Sequence, residues 1–203
     1  MDFQYIFDSV IAAAKAMTWL EIGSVFFLVA YVLLAVRQSV WRWPAGIIGT
    51  SLYLTFCVKV DLYAETVLQM FYLVMSVYGW YMWARGKEDK SPLTVTTAPW
   101  QFHAIIIAFG AVATAGVGWY LENHTNATLS YVDTFSTVFG IITTWMVAKK
   151  LLENWLYWIV IDIVFGMACW EREWYLFSLL YFFYAIIAVQ GFFAWRKSRL
   201  SAV

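Results

Sequence analysis

Residues 153–166 read ENWLYWIVIDIVFG, an apolar, tryptophan-rich run with one acid, Asp162, near its middle. A carboxylate inside a membrane-spanning helix costs roughly 2.5–3.5 kcal/mol on insertion scales, so it usually faces a site or a water-filled path rather than lipid. The stretch therefore predicts a membrane helix that carries a functional carboxylate. The alternative is that Asp162 pairs with a neighbouring helix only to hold a helical bundle together.

The rest of the chain has the same apolar character. Of its 203 residues, 63% are hydrophobic and only 13% are charged. A soluble domain of this length has too small a core to hide so much apolar surface from water. We therefore expect an all-α integral membrane protein in a lipid bilayer.

Several functions are disfavoured by composition. The net charge is zero and the basic residues form no patch, so no nucleic-acid partner is expected. Cys57 and Cys169 lack the spacing of a metal site, and His103 and His124 cannot assemble a metal cluster or a nucleophile triad. The sequence predicts neither an enzyme nor a cofactor.

Seven segments have the apolar length expected of membrane spans, since about 20 apolar residues cross a bilayer and buried bundle helices can be shorter. Trp or Tyr stands at most of their ends, as in the aromatic belts at membrane interfaces. The segment before them, residues 1–19, is predicted to be a short interfacial helix. The spans are Leu20–Val36, Trp43–Val58, Tyr63–Ala84, Trp100–Trp119, Tyr131–Ala148, Trp155–Trp170 and Trp174–Trp195.

The basic residues predict the orientation. Ten of the thirteen follow the first, third, fifth or seventh span, while Lys15, Lys59 and Arg172 lie on the other side. Because positive charge concentrates on the cytoplasmic side, the amino end is predicted outside and the carboxyl end in the cytoplasm.

The chain also matches itself at a shift of 112 positions. This shift brings the first three spans onto the last three without a gap and gives 10 identical pairs among the 41 positions from Trp43 to Trp83. Trp43 meets Trp155, Gly79 meets Gly191 and Trp83 meets Trp195. An unbroken register through three spans indicates an internal repeat.

This repeat predicts a 3+1+3 topology, because three spans plus one linking span leave both triplets running in the same direction. Parallel repeats of this kind are typical of transporters with a midplane site between the halves. The predicted organisation is an interfacial helix (1–19), a first three-helix repeat (20–90), a linking helix with its external loop (91–130), and a second repeat with a cytoplasmic tail (131–203).

The sixth span places Trp155, Trp158 and Asp162 on one face, at steps of three and four. Two indoles leading to a carboxylate suit a flat, cationic organic ligand, because indole faces attract cations and a carboxylate neutralises charge. Lipid-facing or core positions for the tryptophans are the alternative. Asn154, at the start of this span, is a further candidate.

A second polar stripe lies on the third span. Gln69, Tyr72 and Ser76 share one face with Glu65, which either points into the bundle or reaches water near the outer end. The second and fifth spans add Trp43, Thr50 and Asp133 to the candidate site. Threonines at such positions serve helix packing as often as ligand binding.

With these residues, the chain resembles the Pnu family of bacterial vitamin transporters. The likeness is carried by KLLENWLYWIVID (150–162), by the run from Leu62-Tyr63-Ala64 through Gln69 to Tyr78-Gly79-Trp80-Tyr81, and by Asp133. The resemblance implies a 3+1+3 bundle similar to the SWEET type, a homotrimer in the bacterial inner membrane, and a substrate held at the centre of each protomer.

Two departures from the family pattern bear on the substrate. Nicotinamide riboside transporters typically have Asn at the position of Asp162, and Asn is also expected at Ser76. An acid at the Asp162 position looks like the thiamine-transporting branch, whose ligand carries a permanent thiazolium charge. The resemblance therefore favours thiamine or a related cationic vitamin, with nicotinamide riboside as the alternative.

The resemblance further implies facilitated diffusion, with the vitamin trapped inside the cell by phosphorylation. The sequence has no nucleotide-binding motif and no chain of acids across the membrane. Alternating access would rock one triplet of helices against the other. A seven-helix ligand-binding receptor and a proton-coupled pump are the competing interpretations.

Overall fold

The structure is a computed structural model that describes residues 3–86, 91–125 and 129–201. In these ranges the chain is helical, and the one β-type contact is an isolated bridge between Thr96 and Leu151. The helices are α1 (Phe3–Ala16), α2 (Trp19–Val36), α3 (Arg42–Lys59), α4 (Tyr63–Arg85), α5 (Trp100–His124), α6 (Ser130–Ala148), α7 (Asn154–Glu171) and α8 (Tyr175–Leu200).

The described ranges thus contain eight helices, whereas the fold prediction counted seven transmembrane helices and placed a short interfacial helix before them. Helices α2 to α8 fall on the seven predicted spans, and the extra helix is the N-terminal segment. Helix α1 packs against α8, and the Tyr5 hydroxyl donates a hydrogen bond to Glu173 at 2.8 Å. This contact holds the N-terminal helix against the end of the bundle where α7 finishes.

Apolar side chains cover the outside of the bundle while polar ones lie inside. Phe26, Ile105 and Val112 are each more than half exposed, whereas Gln69 and Asp162 are buried. This reverses the pattern of a soluble protein and fits a protein surrounded by lipid.

Among the described residues, three helices are long and apolar enough to cross a membrane by length and composition alone. These are α2, α5 and α8. Helices α3, α4 and α7 instead bury polar residues such as Thr50, Gln69 and Asp162. Seven membrane crossings, rather than three, therefore stay a prediction.

The internal repeat is visible in the helix boundaries. Under the shift found in the sequence, α3 and α7 match at both ends, α4 and α8 match at their first residues, and α2 and α6 match at their last residues. Within each half the three helices pack as α2 on α3 and α3 on α4, and as α6 on α7 and α7 on α8. The two halves meet through α4 with α6 and α2 with α8, whereas α5 contacts α6.

Four helix ends repeat the same backbone turn. Gln38 and Lys150 follow α2 and α6 with φ of 53°, and Asp61 and Glu173 follow α3 and α7 with φ of 57° and 61°. At each, the next backbone N–H reaches back to close the last turn, as Ser39 does to Leu34 at 3.0 Å. Glycine is the usual residue at such a turn, so side chains here occupy a costly conformation.

A row of tryptophans forms the core at the end of the bundle where α2, α4 and α6 finish. The rings of Trp43 and Trp83 lie 5.5 Å apart, those of Trp83 and Trp195 lie 6.0 Å apart, and those of Trp195 and Trp155 lie 5.4 Å apart. Trp83 donates its indole N–H to the carbonyl of Ala148, and Trp195 donates to the carbonyl of Ala35. Each half therefore donates a hydrogen bond to the other, which joins the two halves at this end of the bundle.

Candidate functional site

Asp162 lies near the middle of α7 and is only 5% exposed. In the part of the chain that the structure describes, its carboxylate has no hydrogen-bond or ion-pair partner. Helix α8 packs closely beside it, since the Ser178 hydroxyl donates to the Gly166 carbonyl at 2.8 Å and the Phe165 and Tyr181 rings lie 4.7 Å apart. The sequence left open that Asp162 pairs with a neighbouring helix to hold the bundle together. No residue in the described ranges forms such a pair with Asp162.

Two tyrosines of α8 lie near this acid, and one of them also lies near polar groups of the other half. Tyr181 and Tyr184 of α8 both interact electrostatically with Asp162. Tyr181 also interacts with Tyr53 of α3 and Glu65 of α4, which belong to the other half. Polar groups from the two halves therefore meet around Tyr181.

Tyr53, Tyr181 and Tyr184 are not among the site residues predicted from the sequence. Tyrosine is frequent in this chain, with 13 copies, so composition does not single out these three. Their spacing is the signal that was available: Tyr181 and Tyr184 are three residues apart on α8, and Tyr53 follows Thr50 by three on α3.

Helix α4 brings an amide and a second acid to the same region. Gln69 is buried and its Nε2 donates a hydrogen bond to Glu65 Oε1 at 2.7 Å. Glu65 interacts electrostatically with Tyr53 and Tyr72 as well as Tyr181. Its carboxylate therefore points toward the bundle interior. The sequence left open whether Glu65 points into the bundle or reaches water near the outer end, and the structure gives the first of these.

Tyr72 and Trp158 meet across the two halves. A Cβ atom at Gly140 of α6 would lie 2.7 Å from the Tyr72 hydroxyl oxygen and 4.0 Å from the Trp158 ring. The absence of a side chain at Gly140 thus lets a tyrosine of the first half and a tryptophan of the second half approach the same point. Both are predicted site residues, and the structure brings them together.

Ser76 of α4 packs against α3 within the first half. Its hydroxyl oxygen would lie 3.2 Å from a Cβ atom at Gly46 of α3, which also packs against the Tyr31 ring of α2. Thr50, one turn further along α3, is buried. Ser76 and Thr50 thus lie on inner faces of the bundle, whereas their contact with a ligand is a prediction.

Trp43 and Trp155 are placed in the tryptophan core rather than beside Asp162. A Cβ at Gly79 would lie 2.2 Å from the Trp43 ring, and one at Gly191 would lie 2.6 Å from the Trp155 ring. Both indoles are fully buried by these glycines and by the next tryptophan of the row. Packing, the alternative considered from the sequence, explains their positions.

Asp133 and Asn154 are also engaged elsewhere. The Arg172 guanidinium donates two hydrogen bonds to the Asp133 carboxylate, at 2.9 and 2.7 Å, between the start of α6 and the end of α7. Asn154 is fully buried at the first turn of α7, where its amide donates to the Leu151 carbonyl at 2.6 Å. The first contact closes one end of the bundle and the second supports a turn at the other.

Only some of the predicted site residues therefore lie together in the structure. The site contains a carboxylate without a partner in the described ranges, an amide held by a second acid, tyrosine hydroxyls and one indole. Such a set neutralises a cation and accepts hydrogen bonds while aromatic faces stack on a flat ring. We name the site by five residues: Asp162, Trp158, Gln69, Tyr72 and Tyr181.

Comparisons with known proteins identify relatives along almost the whole chain. A family model described as nicotinamide mononucleotide transporter matches residues 18–197. The chain is 22% identical to the nicotinamide riboside transporter PnuC of Escherichia coli (strain K12), over 92% of this chain and 89% of the relative. It is 26% identical to the riboflavin/roseoflavin transporter RibM of Streptomyces davaonensis, over 86% and 82%.

Two further matches agree with these. The nicotinamide riboside transporter PnuC of Neisseria mucosa is 23% identical over 89% of this chain and 73% of the relative. The crystal structure of the vitamin B3 transporter PnuC superposes with a TM-score of 0.72 at 19% identity, covering 98% of this chain and 89% of that one. At this identity the superposition shows a shared fold.

Proposed function

The chain belongs to the nicotinamide mononucleotide transporter family, and on that premise we propose that it carries a permanently cationic, heteroaromatic vitamin, with nicotinamide riboside as the first candidate. Membrane vitamin transport is the activity that its relatives share by name. The single observation that carries the choice of a cation is Asp162, a buried carboxylate without a counter-charge in the described ranges.

Charge balance favours a cationic substrate. A carboxylate in a low-dielectric interior is costly unless a positive group pairs with it. The pyridinium ring of nicotinamide riboside carries a fixed positive charge, which the described residues near Asp162 do not supply. Its flat ring suits stacking on Trp158 and on the tyrosines, and its ribose hydroxyls and carboxamide suit Gln69 and Tyr72.

Thiamine is the second candidate. Its thiazolium also carries a permanent charge, and an acid at the position of Asp162 is the feature by which the sequence resembles the thiamine branch. Two of the compared relatives are named as nicotinamide riboside transporters, which supports nicotinamide riboside over thiamine and reverses the order favoured by the sequence. Riboflavin, named for a third relative, is uncharged at its ring system and leaves Asp162 without a partner.

Architecture and transport mode belong to the same proposal. The internal repeat supports a 3+1+3 arrangement in which the triplets α2–α4 and α6–α8 rock about the bound vitamin. The basic end of the bundle supports a cytoplasmic C-terminus. Facilitated diffusion without chemistry on the substrate, in a homotrimer of the bacterial inner membrane, completes the proposal.

Isothermal titration calorimetry with a matched pair of ligands tests the role of charge. Nicotinamide riboside and its reduced dihydropyridine form have nearly the same shape, but only the oxidised form is a cation. We expect the oxidised form to bind at least about tenfold more tightly, which corresponds to 1.4 kcal/mol. In Asp162→Asn this preference should disappear. Equal affinity for the two forms in the unmodified protein would contradict a cation site.

Competition and flux distinguish the remaining candidates. Thiamine that displaces nicotinamide riboside while binding more tightly would make thiamine the substrate. A ligand that binds the purified protein but never crosses the membrane of liposomes containing it would indicate a receptor instead of a transporter.

A further inference from the structure

We propose that Arg42 and Lys150 form a second site, separate from the Asp162 site, that binds a phosphate group. This site lies at the end of the bundle where α2, α4 and α6 finish, beside the tryptophan row. The phosphate is either that of a lipid headgroup or that of a soluble phosphate. The proposal does not depend on which vitamin the protein carries.

Arg42 is the first residue of α3 and is only 2% exposed. Its guanidinium carbon lies 4.1 Å from the centre of the Tyr31 ring, 4.6 Å from Trp43 and 5.4 Å from Trp83. The aromatic faces offset part of its charge. Its Nε and Nη1 atoms nevertheless have no hydrogen-bond partner in the described ranges, so strong donors are left for another group.

Lys150 approaches the same tryptophan from the turn after α6. Its ammonium lies 4.4 Å from the centre of the Trp83 ring and donates to the Leu93 carbonyl at 2.8 Å. Burial, together with the smaller effect of the nearby Arg42 charge, lowers the pKa of Lys150 to about 8. Because both groups lie over one ring, their charges are within about 10 Å of each other.

No carboxylate in the described part of the chain neutralises this pair of charges. The acids found beside a basic side chain there are Asp133, which pairs with Arg172, and Glu153, which lies 4.0 Å from His103. Two buried cations without a counter-charge are unfavourable, so an anion held near both would stabilise the bundle end. A phosphate group offers oxygens for both the planar guanidinium and the ammonium, and headgroup phosphates lie at the level of helix ends.

The internal repeat shows that these charges are not needed for packing. At the repeat shift Arg42 corresponds to Asn154, and Lys150 corresponds to Gln38. The second half nevertheless builds the same helix start at Asn154, and the first half builds the same backbone turn at Gln38. Neutral residues therefore suffice for this architecture. Neither cation has a charged residue at the equivalent position of the other half.

The test uses full-length protein that has been delipidated in a neutral detergent. Its thermal unfolding is followed with added sodium phosphate, with added phosphatidylglycerol and with added phosphatidylcholine as the zwitterionic lipid. Sodium chloride at matched ionic strength is the salt control. A rise in Tm with inorganic phosphate indicates a soluble ligand, and a rise with phosphatidylglycerol alone indicates a headgroup.

The variants are Arg42→Gln, Lys150→Gln and the matched control Lys149→Gln. We expect the rise in Tm to be lost in Arg42→Gln, reduced in Lys150→Gln and retained in Lys149→Gln. Since Arg42→Gln could misfold, it is used only if it still binds the vitamin, and Lys150→Gln otherwise carries the test. A rise that survives both substitutions, or no rise with either phosphate source, would overturn the proposal.

One further variant addresses the chain's own acids. Glu88 and Asp89 lie outside the described residues, and in E88Q/D89N they are neutral. A phosphate response that is found in E88Q/D89N but is absent in the unmodified protein would also contradict the proposal, because acids of the chain would then fill the site.

Discussion

At the scale of single residues, two aspartates have contrasting surroundings. Asp162 is buried in α7 without a partner in the described ranges, whereas Asp133 is held by two hydrogen bonds from Arg172. A paired carboxylate has its charge balanced by the protein, while an unpaired one has its charge balanced by whatever binds. The two residues should therefore respond differently to the same substitution.

Replacing Asp162 with Asn keeps the shape of the side chain and removes its charge. We expect the Kd for nicotinamide riboside to rise at least about 30-fold, because losing one partner of a buried charge pair costs about 2–5 kcal/mol. Calorimetry on the purified variant measures this. Thr50→Ala, at the equivalent position of the first half, is the control and should change the Kd far less. An unchanged Kd in Asp162→Asn would remove the acid from the site.

Asp133→Asn should affect stability instead of binding. The Asp133–Arg172 pair is partly exposed, so its loss should cost no more than about 1 kcal/mol and lower the Tm slightly. Arg172→Gln should give a similar fall, and the double variant should show that the two effects are not additive. A large loss of vitamin affinity in Asp133→Asn would instead return Asp133 to the binding site.

At the scale of the helices, glycines opposite tryptophans determine how closely neighbouring helices pack. Gly79 of α4 faces the Trp43 ring, and Gly191 of α8 faces the Trp155 ring. Each contact is the repeat equivalent of the other. A fully buried indole on both sides has no free space into which it can move.

Gly79→Ala should therefore destabilise the bundle by about 1–3 kcal/mol, since a new methyl group would overlap the Trp43 ring. Thermal unfolding in detergent, followed by tryptophan fluorescence, measures the fall in Tm. Gly116→Ala in α5 is the matched control: nothing lies within 4 Å of its Cβ position, and alanine favours a helix over glycine. A Gly79→Ala protein as stable as Gly116→Ala would show that the glycine does not pack against the indole in this way.

At the scale of the whole molecule, the sequence predicted the helices and the repeat well. Apolar length and aromatic ends placed α2 to α8, and the repeat shift reappears in helix boundaries and in the turns at Gln38 and Lys150. These features are local or periodic, so they can be read from the order of residues. The eighth helix, α1, lies within residues 1–19, where the sequence predicted a short interfacial helix.

The site was predicted less completely, for two physical reasons. Helical spacing shows which face a residue occupies but not which neighbour that face meets, so Trp155 was grouped with Asp162 although Gly191 receives its ring. Pairing across the bundle is also invisible in sequence, since Arg172 and Asp133 are far apart in the chain and lie on different helices. Asp162 was predicted correctly as buried because a lone acid in an apolar helix has few other places to lie.

Facilitated diffusion makes a prediction for the intact transporter. With the membrane potential held at zero, uptake of nicotinamide riboside into liposomes that contain only this protein should stop at equal concentrations on the two sides. An imposed pH gradient should not change that end point, because no proton is needed to move a fixed cation. Accumulation above equilibrium under the gradient would favour a proton-coupled pump, with Asp162 and Glu65 as the acids to examine.

The most direct measurement is the initial rate of labelled nicotinamide riboside uptake into such liposomes, compared between the unmodified protein and Asp162→Asn. We predict saturable uptake by the unmodified protein that excess thiamine inhibits more strongly than excess riboflavin, and a large loss of uptake in the variant. Uptake that is equal in the two proteins, or that is inhibited by riboflavin and not by thiamine, would contradict a cationic-vitamin transporter built around Asp162.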